Sequence, residues 1–295
     1  MMRILLLGKY GQLGWELHRS LLPLGEVLAL DYPEIDLTKD HFRQAIRDFR
    51  PQVIINATAY TAVDRAESEA ELAMAINARA PGIIAEQASR LEAAMIHFST
   101  DYVFDGAKGR DYVETDPPNP LGLYGKSKLA GELAIQQVGG AYLILRTSWV
   151  YSLRRDSFVT KVLEWSRQQA TLRVVADQVG NPTWARMLAE ITTQVLAKGS
   201  HHLPGWLRER GGLYHLAGSG RASRLEWAEA ILQYDPRQEE QRVQEILPAR
   251  TADFPTPAQR PLHSALDCGR FGEVFDLRLP DWRLSLQLAM DSAAS

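Results

Sequence analysis

A chain of 295 residues is long enough to bury a sizeable core, as one large domain or as a domain with a smaller second one. Hydrophobic residues at 45% and charged residues at 23% are an ordinary globular balance, and a net charge of -3 leaves no basic footprint for a nucleic acid. The single cysteine, Cys268, excludes an internal disulfide framework and a cysteine-based zinc site.

The opening "MMRILLLGKYG" carries an apolar run too short for a signal-peptide core, and no later stretch reaches the roughly 18 apolar residues of a membrane span. A cytoplasmic protein with no membrane partner is expected. Along the first half, five apolar runs read as strands: "RILLL" (3–7), "EVLAL" (26–30), "QVIIN" (52–56), "AMIHFST" (94–100) and "YLILRTS" (142–148). Each is nearly all apolar, as strands covered on both faces should be. The intervening "LGWELHRSLL", "DHFRQAIRDF", "AINARAPGIIAEQASRL" and "YGKSKLAGELAIQQ" have helical spacing. The expectation is an α/β fold: a Rossmann-like, doubly wound parallel sheet over residues 1–175.

Residues 176–295 change in texture and are expected to form a smaller α/β substrate-binding region, with segments that interleave with the first. "LRVVADQVGNPTW" holds a short strand and a turn, and "ARMLAEITTQVLA" reads as a helix. Residues 198–212 are polar with Gly and Pro, and "LYHLAG" is a strand candidate. Ser223 is placed to cap a helix over "RLEWAEAILQ". The proline-rich "ILPARTADFPTPAQRPLHSALD" cannot be regular helix, and "LPDWRLSLQLAMD" closes the chain as one.

Between the first strand and the first helix lie Gly8, Gly11, Gln12, Leu13 and Gly14 in a G-x-x-G-x-x-G pattern. Glycines in that setting allow a tight turn and let a pyrophosphate approach backbone amides at a helix N-terminus. Asp31, at the end of the second strand, can accept bonds from adenosine ribose hydroxyls and would repel a 2'-phosphate, which favours tolerance of NADH. A plain surface aspartate is the alternative. Asp36 with Leu37 could meet the adenine edge, or belong to a capping network around Thr38.

Tyr124 and Lys128, at i and i+4, share one helix face, and Thr100 leaves the carboxyl end of the fourth strand. In open parallel sheets ligands bind beyond that end, so the three can converge on a cofactor held by the glycine loop. Such a group suits carbonyl reduction. The histidines form no H-x-x-H pattern, so no metal ligand is assigned and zinc catalysis is not expected.

Together "GKYGQLGWEL", "INATAYTAVDRAE", "HFSTDYVFDG", "LYGKSKLAGE", "LRTSWVY", "DQVGNPT" and "FPTPAQRP" resemble the extended short-chain dehydrogenases/reductases, and within them the dTDP-4-dehydrorhamnose reductase family. The resemblance runs from residue 2 to about 285. It implies reduction of the C4 keto group of a dTDP-4-dehydro-6-deoxy-L-mannose by NADPH or NADH, giving dTDP-L-rhamnose for surface polysaccharide. Tyr124 would donate the proton, Lys128 would favour the charged phenol and bond the nicotinamide ribose, and Thr100 would bond the keto oxygen. Ala59, Tyr60 and Thr61 would pass the cofactor's phosphates and ribose. Asp101 and Tyr102 would face the sugar, and Trp149 would offer a flat wall unless it is a core residue. Arg260 would meet the nucleotide diphosphate unless it is an exposed loop residue.

Some members use Mg2+ at a subunit contact; Glu16 could take part, but Arg186 stands where an acidic partner is wanted, so the residues do not support it. A homodimer is the assembly expected, although periodicity does not give it. Two rivals remain open. One is a nucleotide-sugar epimerase or dehydratase of the same fold; the other is a non-catalytic nucleotide-binding regulatory subunit.

Overall fold

In the computed structural model, which describes residues 1–294, six parallel strands form the central sheet. β1 (Met2–Leu7), β2 (Gly25–Leu30), β3 (Val53–Asn56), β4 (Ala94–Thr100) and β5 (Tyr142–Thr147) match the five apolar runs to within a residue or so at each end. The order across the sheet is β2, β1, β3, β4, β5 and then the edge strand Gly212–His215. The chain leaves β1 for β2 on one side and continues to β3 on the other. That reversal opens a crevice at the carboxyl ends of β1 and β3.

Alternation along β1 builds two cores at once. Ile4 and Leu6 face a cluster with Leu13, Leu17, Leu188 and Val195, whereas Leu5 and Leu7 face Phe42, Ile46, Ile84 and Ile135. Helices therefore cover both faces, which is why the strands read as continuous apolar runs. A third cluster gathers Tyr151, Val159, Trp227, Trp282, Leu286 and Met290, away from the sheet. The two parts of the chain interleave: helix Ala185–Lys198 packs on the first helix, Gln12–Leu21, and residues 212–215 extend the main sheet.

Ser223 caps helix Arg224–Gln233, its Oγ accepting from the Glu226 amide while Glu226 accepts from the Ser223 amide. Elements outside the sequence reading include helices Phe158–Gln168, Leu203–Arg210 and Gly269–Phe275, and strand Glu245–Ala249. That strand sits inside the proline-rich stretch and pairs with Thr171–Val175, a two-stranded sheet whose edge tolerates Pro248. The segment read as one helix from residue 75 opens with a π turn, Ala75–Arg79, before helix Ala80–Arg90.

Helix Leu123–Val138 carries the tyrosine and lysine, and two features fix its height over the sheet. A Cβ at Gly125 would lie 2.2 Å from the Tyr102 carbonyl oxygen, so only glycine allows that approach. Arg146 of β5 clasps Glu132 through two bonds of 2.9 and 2.6 Å, both side chains being buried. Among the described residues, no helix is long and apolar enough to cross a membrane.

Candidate active site

A cavity of about 1240 Å³ opens along the carboxyl ends of the strands, lined at one end by Gly8, Gly11, Gln12, Leu13 and Asp31 and at the other by Thr100, Tyr124 and Lys128. Asp36, Leu37, Ala59, Thr61, Asp101 and Trp149 also line it. One cavity thus joins the glycine loop to the residues expected to do chemistry.

The loop is built for a close neighbour. Gly8 has φ +94° and sits so near β3's exit that a Cβ would lie 2.9 Å from the Ala57 carbonyl carbon. Gly14 does not line the cavity; it packs against the loop itself, where a Cβ would come within 1.8 Å of the Gly8 oxygen. Helix Gln12–Leu21 begins at Gly11 with no side-chain cap, which leaves first-turn amides directed at the cavity. An anion such as a pyrophosphate fits that cradle.

Asp31 is held at the cavity's end, its carboxylate accepting from the Tyr10 amide (2.9 Å) and the Tyr32 amide (2.8 Å). Glu34 accepts from the Asp31 amide and is paired with Lys9 at 2.6 Å, which holds the Glu34 carboxyl below its usual range. Asp36 makes the Thr38 network, taking bonds from the Thr38 amide and hydroxyl at 2.9 and 2.6 Å, while still lining the cavity with Leu37. Two carboxylates, Asp31 and Asp36, thus line the end of the cavity where an adenosine ribose would lie.

At the other end Tyr124 is half-buried, and desolvation pushes the pKa of its phenol well above the ordinary value, with Thr100 acting in the other direction. A protonated phenol is the form a proton donor needs. Thr100 is the hub: its hydroxyl donates to Asp101 Oδ1 at 3.1 Å and accepts from the Tyr102 amide at 3.1 Å. Asp101 faces inward and accepts two further hydroxyls, Ser148 at 2.9 Å and Ser264 at 2.5 Å. Burial raises its pKa and the three hydroxyls lower it. The carboxylate expected to face the sugar is therefore spent on tying three segments of chain together.

Lys128 is buried, its Nζ donating to the Phe98 carbonyl at 2.6 Å and lying 3.3 Å from His97 Nε2. Burial lowers its pKa to about 8, with Glu132 acting in the other direction. Desolvation is the largest influence on both Lys128 and Tyr124, which line the same cavity.

Tyr60, Tyr102 and Arg260 do not line the cavity, whereas Trp149 does. The Tyr60 hydroxyl turns to Glu69 at 2.6 Å, leaving only backbone beside Ala59 and Thr61, with its amide bonded to Asn77. Arg260 pairs with Asp64 at 2.8 Å and donates to the Ala258 carbonyl, so its guanidinium is already occupied. Tyr102 packs edge-on against Tyr124, with ring centroids 5.8 Å apart. Trp149 takes φ +45° and stacks on Trp227 at 5.5 Å, so it is both cavity wall and edge of the third core. Glu16 is bonded by Arg19 at 3.2 Å and Arg186 at 3.3 Å. Among the described residues, no group of three or more His, Cys, Asp and Glu side chains could hold a metal ion.

Sequence reasoning missed Arg224. Its guanidinium lies 3.7 Å over the Trp149 ring and 4.8 Å from the Phe158 ring, and Tyr102 and Asp101 favour its charge against the burial that lowers its pKa. A cation at the first position of a helix opposes the helix dipole, and that mismatch beside the Ser223 cap was the available signal. Arg155, after the fifth strand, also lines the cavity and was not singled out.

The family model for the RmlD substrate binding domain matches residues 2–295. A dTDP-4-dehydrorhamnose reductase of Burkholderia thailandensis is 40% identical over 299 residues, covering 98% of each chain, and the Salmonella typhimurium one is 40% identical over 97% of this chain and 96% of its own. Among solved structures, a dTDP-4-dehydrorhamnose reductase from Clostridium acetobutylicum superposes with a TM-score of 0.90 at 32% identity, each chain fully covered. The Bacillus anthracis enzyme in complex with NADP gives 0.87 at 32%, covering 99% of each chain. A UDP-glucose 4-epimerase of Thermus thermophilus, 21% identical over 98% of each chain with a TM-score of 0.78, shares the fold alone. The chain belongs to the dTDP-4-dehydrorhamnose reductase family, the family of the RmlD substrate binding domain.

Proposed function

We propose that the protein reduces the C4 keto group of dTDP-4-dehydro-6-deoxy-L-mannose, giving dTDP-L-rhamnose at the expense of NADH or NADPH. The observation that carries this reading is the single cavity that joins the glycine loop and Asp31 to Thr100, Tyr124 and Lys128. A reduced nicotinamide bound along that cavity supplies hydride to the keto carbon. Tyr124 gives its phenolic proton to the oxygen as negative charge builds there. Burial suits Tyr124 to the task, since it keeps the phenol protonated until a strong base forms beside it. Thr100 orients the phenol, and Asp101 orients Thr100.

Gly8, Gly11, Gln12 and Leu13 hold the diphosphate, while Asp31 accepts the ribose hydroxyls and tolerates NADH. Residues 1–175 provide the dinucleotide site and the reacting groups. Most contacts to the sugar nucleotide come from residues 176–295, with Trp149 as a wall and Arg224 stacked on its ring.

The turned-in Asp101 carboxylate weighs against a dehydratase, which needs an acid free to meet the sugar. Mixing the protein with enzymatically generated dTDP-4-dehydro-L-rhamnose and NADH or NADPH, in separate reactions, tests the reading. Stoichiometric loss of cofactor with dTDP-L-rhamnose appearing is expected. No loss with either cofactor, given nucleotide binding, transfers the assignment to an epimerase or a non-catalytic subunit.

A further inference from the structure

Behind Lys128 runs a buried chain of side chains that fixes where each proton sits. Asn56, at the end of β3, accepts the Thr58 amide (3.1 Å) and the Thr58 hydroxyl (2.5 Å) on Oδ1. A backbone amide can only donate, so that atom is the oxygen, and the Asn56 amide nitrogen is the atom 3.2 Å from His97 Nδ1. An amide nitrogen there donates, and His97 Nδ1 accepts. The neutral ring then carries its proton on Nε2, the atom 3.3 Å from Lys128 Nζ.

An ammonium has no lone pair to accept that proton. With Lys128 charged, two donors would face each other across 3.3 Å in a buried site. With Lys128 as an amine, His97 Nε2–H donates into its lone pair while Lys128 donates to the Phe98 carbonyl, and every group is paired. We propose that His97, its tautomer set by Asn56, is a positioning residue that holds Lys128 as a neutral amine in the free protein. Burial acts in the same direction, lowering the Lys128 pKa to about 8 and that of His97 well below its ordinary range.

The other titratable and charged groups around Lys128 do not cancel this. Glu132, one turn further along the helix, favours the ammonium but is already clasped by Arg146 of β5. Tyr124 and Asp101 share the cavity, the first neutral and the second bonded by three hydroxyls. The consequence for turnover rests on the reductase reading: Lys128 must charge to stabilise the tyrosinate left when Tyr124 gives up its proton, so activity declines as Lys128 deprotonates.

The tests do not need activity. Long-range nitrogen–proton NMR of the free protein should find the His97 proton on Nε2, and a proton on Nδ1 overturns the proposal. Carbon NMR of the lysine Cε groups, assigned with Lys128→Arg, should give Lys128 a midpoint below about 8, the value to which burial lowers it, and a midpoint at or above that value refutes the proposal. Asn56→Asp keeps an acceptor for Thr58 but puts a carboxylate opposite His97 Nδ1, so the ring takes the tautomer in which Nδ1–H donates to it and Nε2 becomes an acceptor. That variant should raise the Lys128 midpoint by about one unit or more and move the alkaline limb of the kcat profile with it; an unmoved midpoint overturns the assignment. Should Asn56→Asp not fold, the wild-type tautomer and midpoint decide. An inactive protein with both NMR results as expected would refute the reductase reading alone.

Discussion

Lowering the pH should weaken the fold through His215, well before the carboxylates titrate. Nδ1 of this buried ring faces the Tyr112 carbonyl at 3.0 Å and the Asp267 carbonyl at 3.2 Å, so Nδ1 carries the proton. Nε2 has no partner, and Arg146 lies near enough to disfavour a second charge. Burial first, and then Arg146, lower its pKa from 6.5 to about 3. The unfolded chain therefore binds more protons than the folded one between those values. Stability is fully present above pH 6.5 and is lost progressively as pH falls toward 3.

Between pH 8 and pH 5 this one group costs about 2 kcal/mol, from protonation of the unfolded histidine at its ordinary pKa. His97, also held well below its usual value, adds a second loss of the same sign. Urea unfolding at pH 8 and pH 5 measures the sum. His215→Asn retains a donor for the two carbonyls and removes the titration, so its stability should change by about 2 kcal/mol less across the same interval. An identical pH dependence in wild type and His215→Asn would refute the reasoning.

Three substitutions test the site and its supports. Tyr124→Phe should retain NADPH binding by fluorescence titration but lower kcat by about 100-fold or more, the usual scale for a removed general acid; retained turnover removes Tyr124 from the mechanism. Glu132→Gln leaves Arg146 charged and half-paired in the core, and should cost about 3–5 kcal/mol in urea unfolding; a loss under about 1 kcal/mol would mean that the pair does not pin the catalytic helix. Gly14→Ala puts a methyl within 1.8 Å of the Gly8 oxygen, so the loop must open and the Kd for NADPH should rise about 10-fold or more; an unchanged Kd by calorimetry would show that the loop's shape is not what binds.

The sheet was legible because its strands are buried on both faces, so "RILLL", "QVIIN" and "AMIHFST" stood out as apolar runs between helical spacings. Ser223 announced its helix through chemistry that is local in sequence. Strand Glu245–Ala249 was hidden because its pairing with residues 171–175 is a long-range event inside a proline-rich stretch. Helix Leu203–Arg210 was hidden by its own Pro204 and Gly205, although proline suits the first turn of a helix. At the site, Thr100, Tyr124 and Lys128 follow from strand ends and i,i+4 spacing, which sequence carries. Where Asp101, Tyr60 and Arg260 spend their hydrogen bonds depends on Ser264, Glu69 and Asp64, partners that sequence does not place beside them.

The most direct test of the central claim follows the hydride itself. Nicotinamide deuterated at C4 on the transferred face, incubated with dTDP-4-dehydro-L-rhamnose and this protein, should yield dTDP-L-rhamnose with one deuterium at sugar C4, read by mass spectrometry and NMR. Product without deuterium, or unconsumed cofactor while the sugar nucleotide is rearranged, would contradict a reductase.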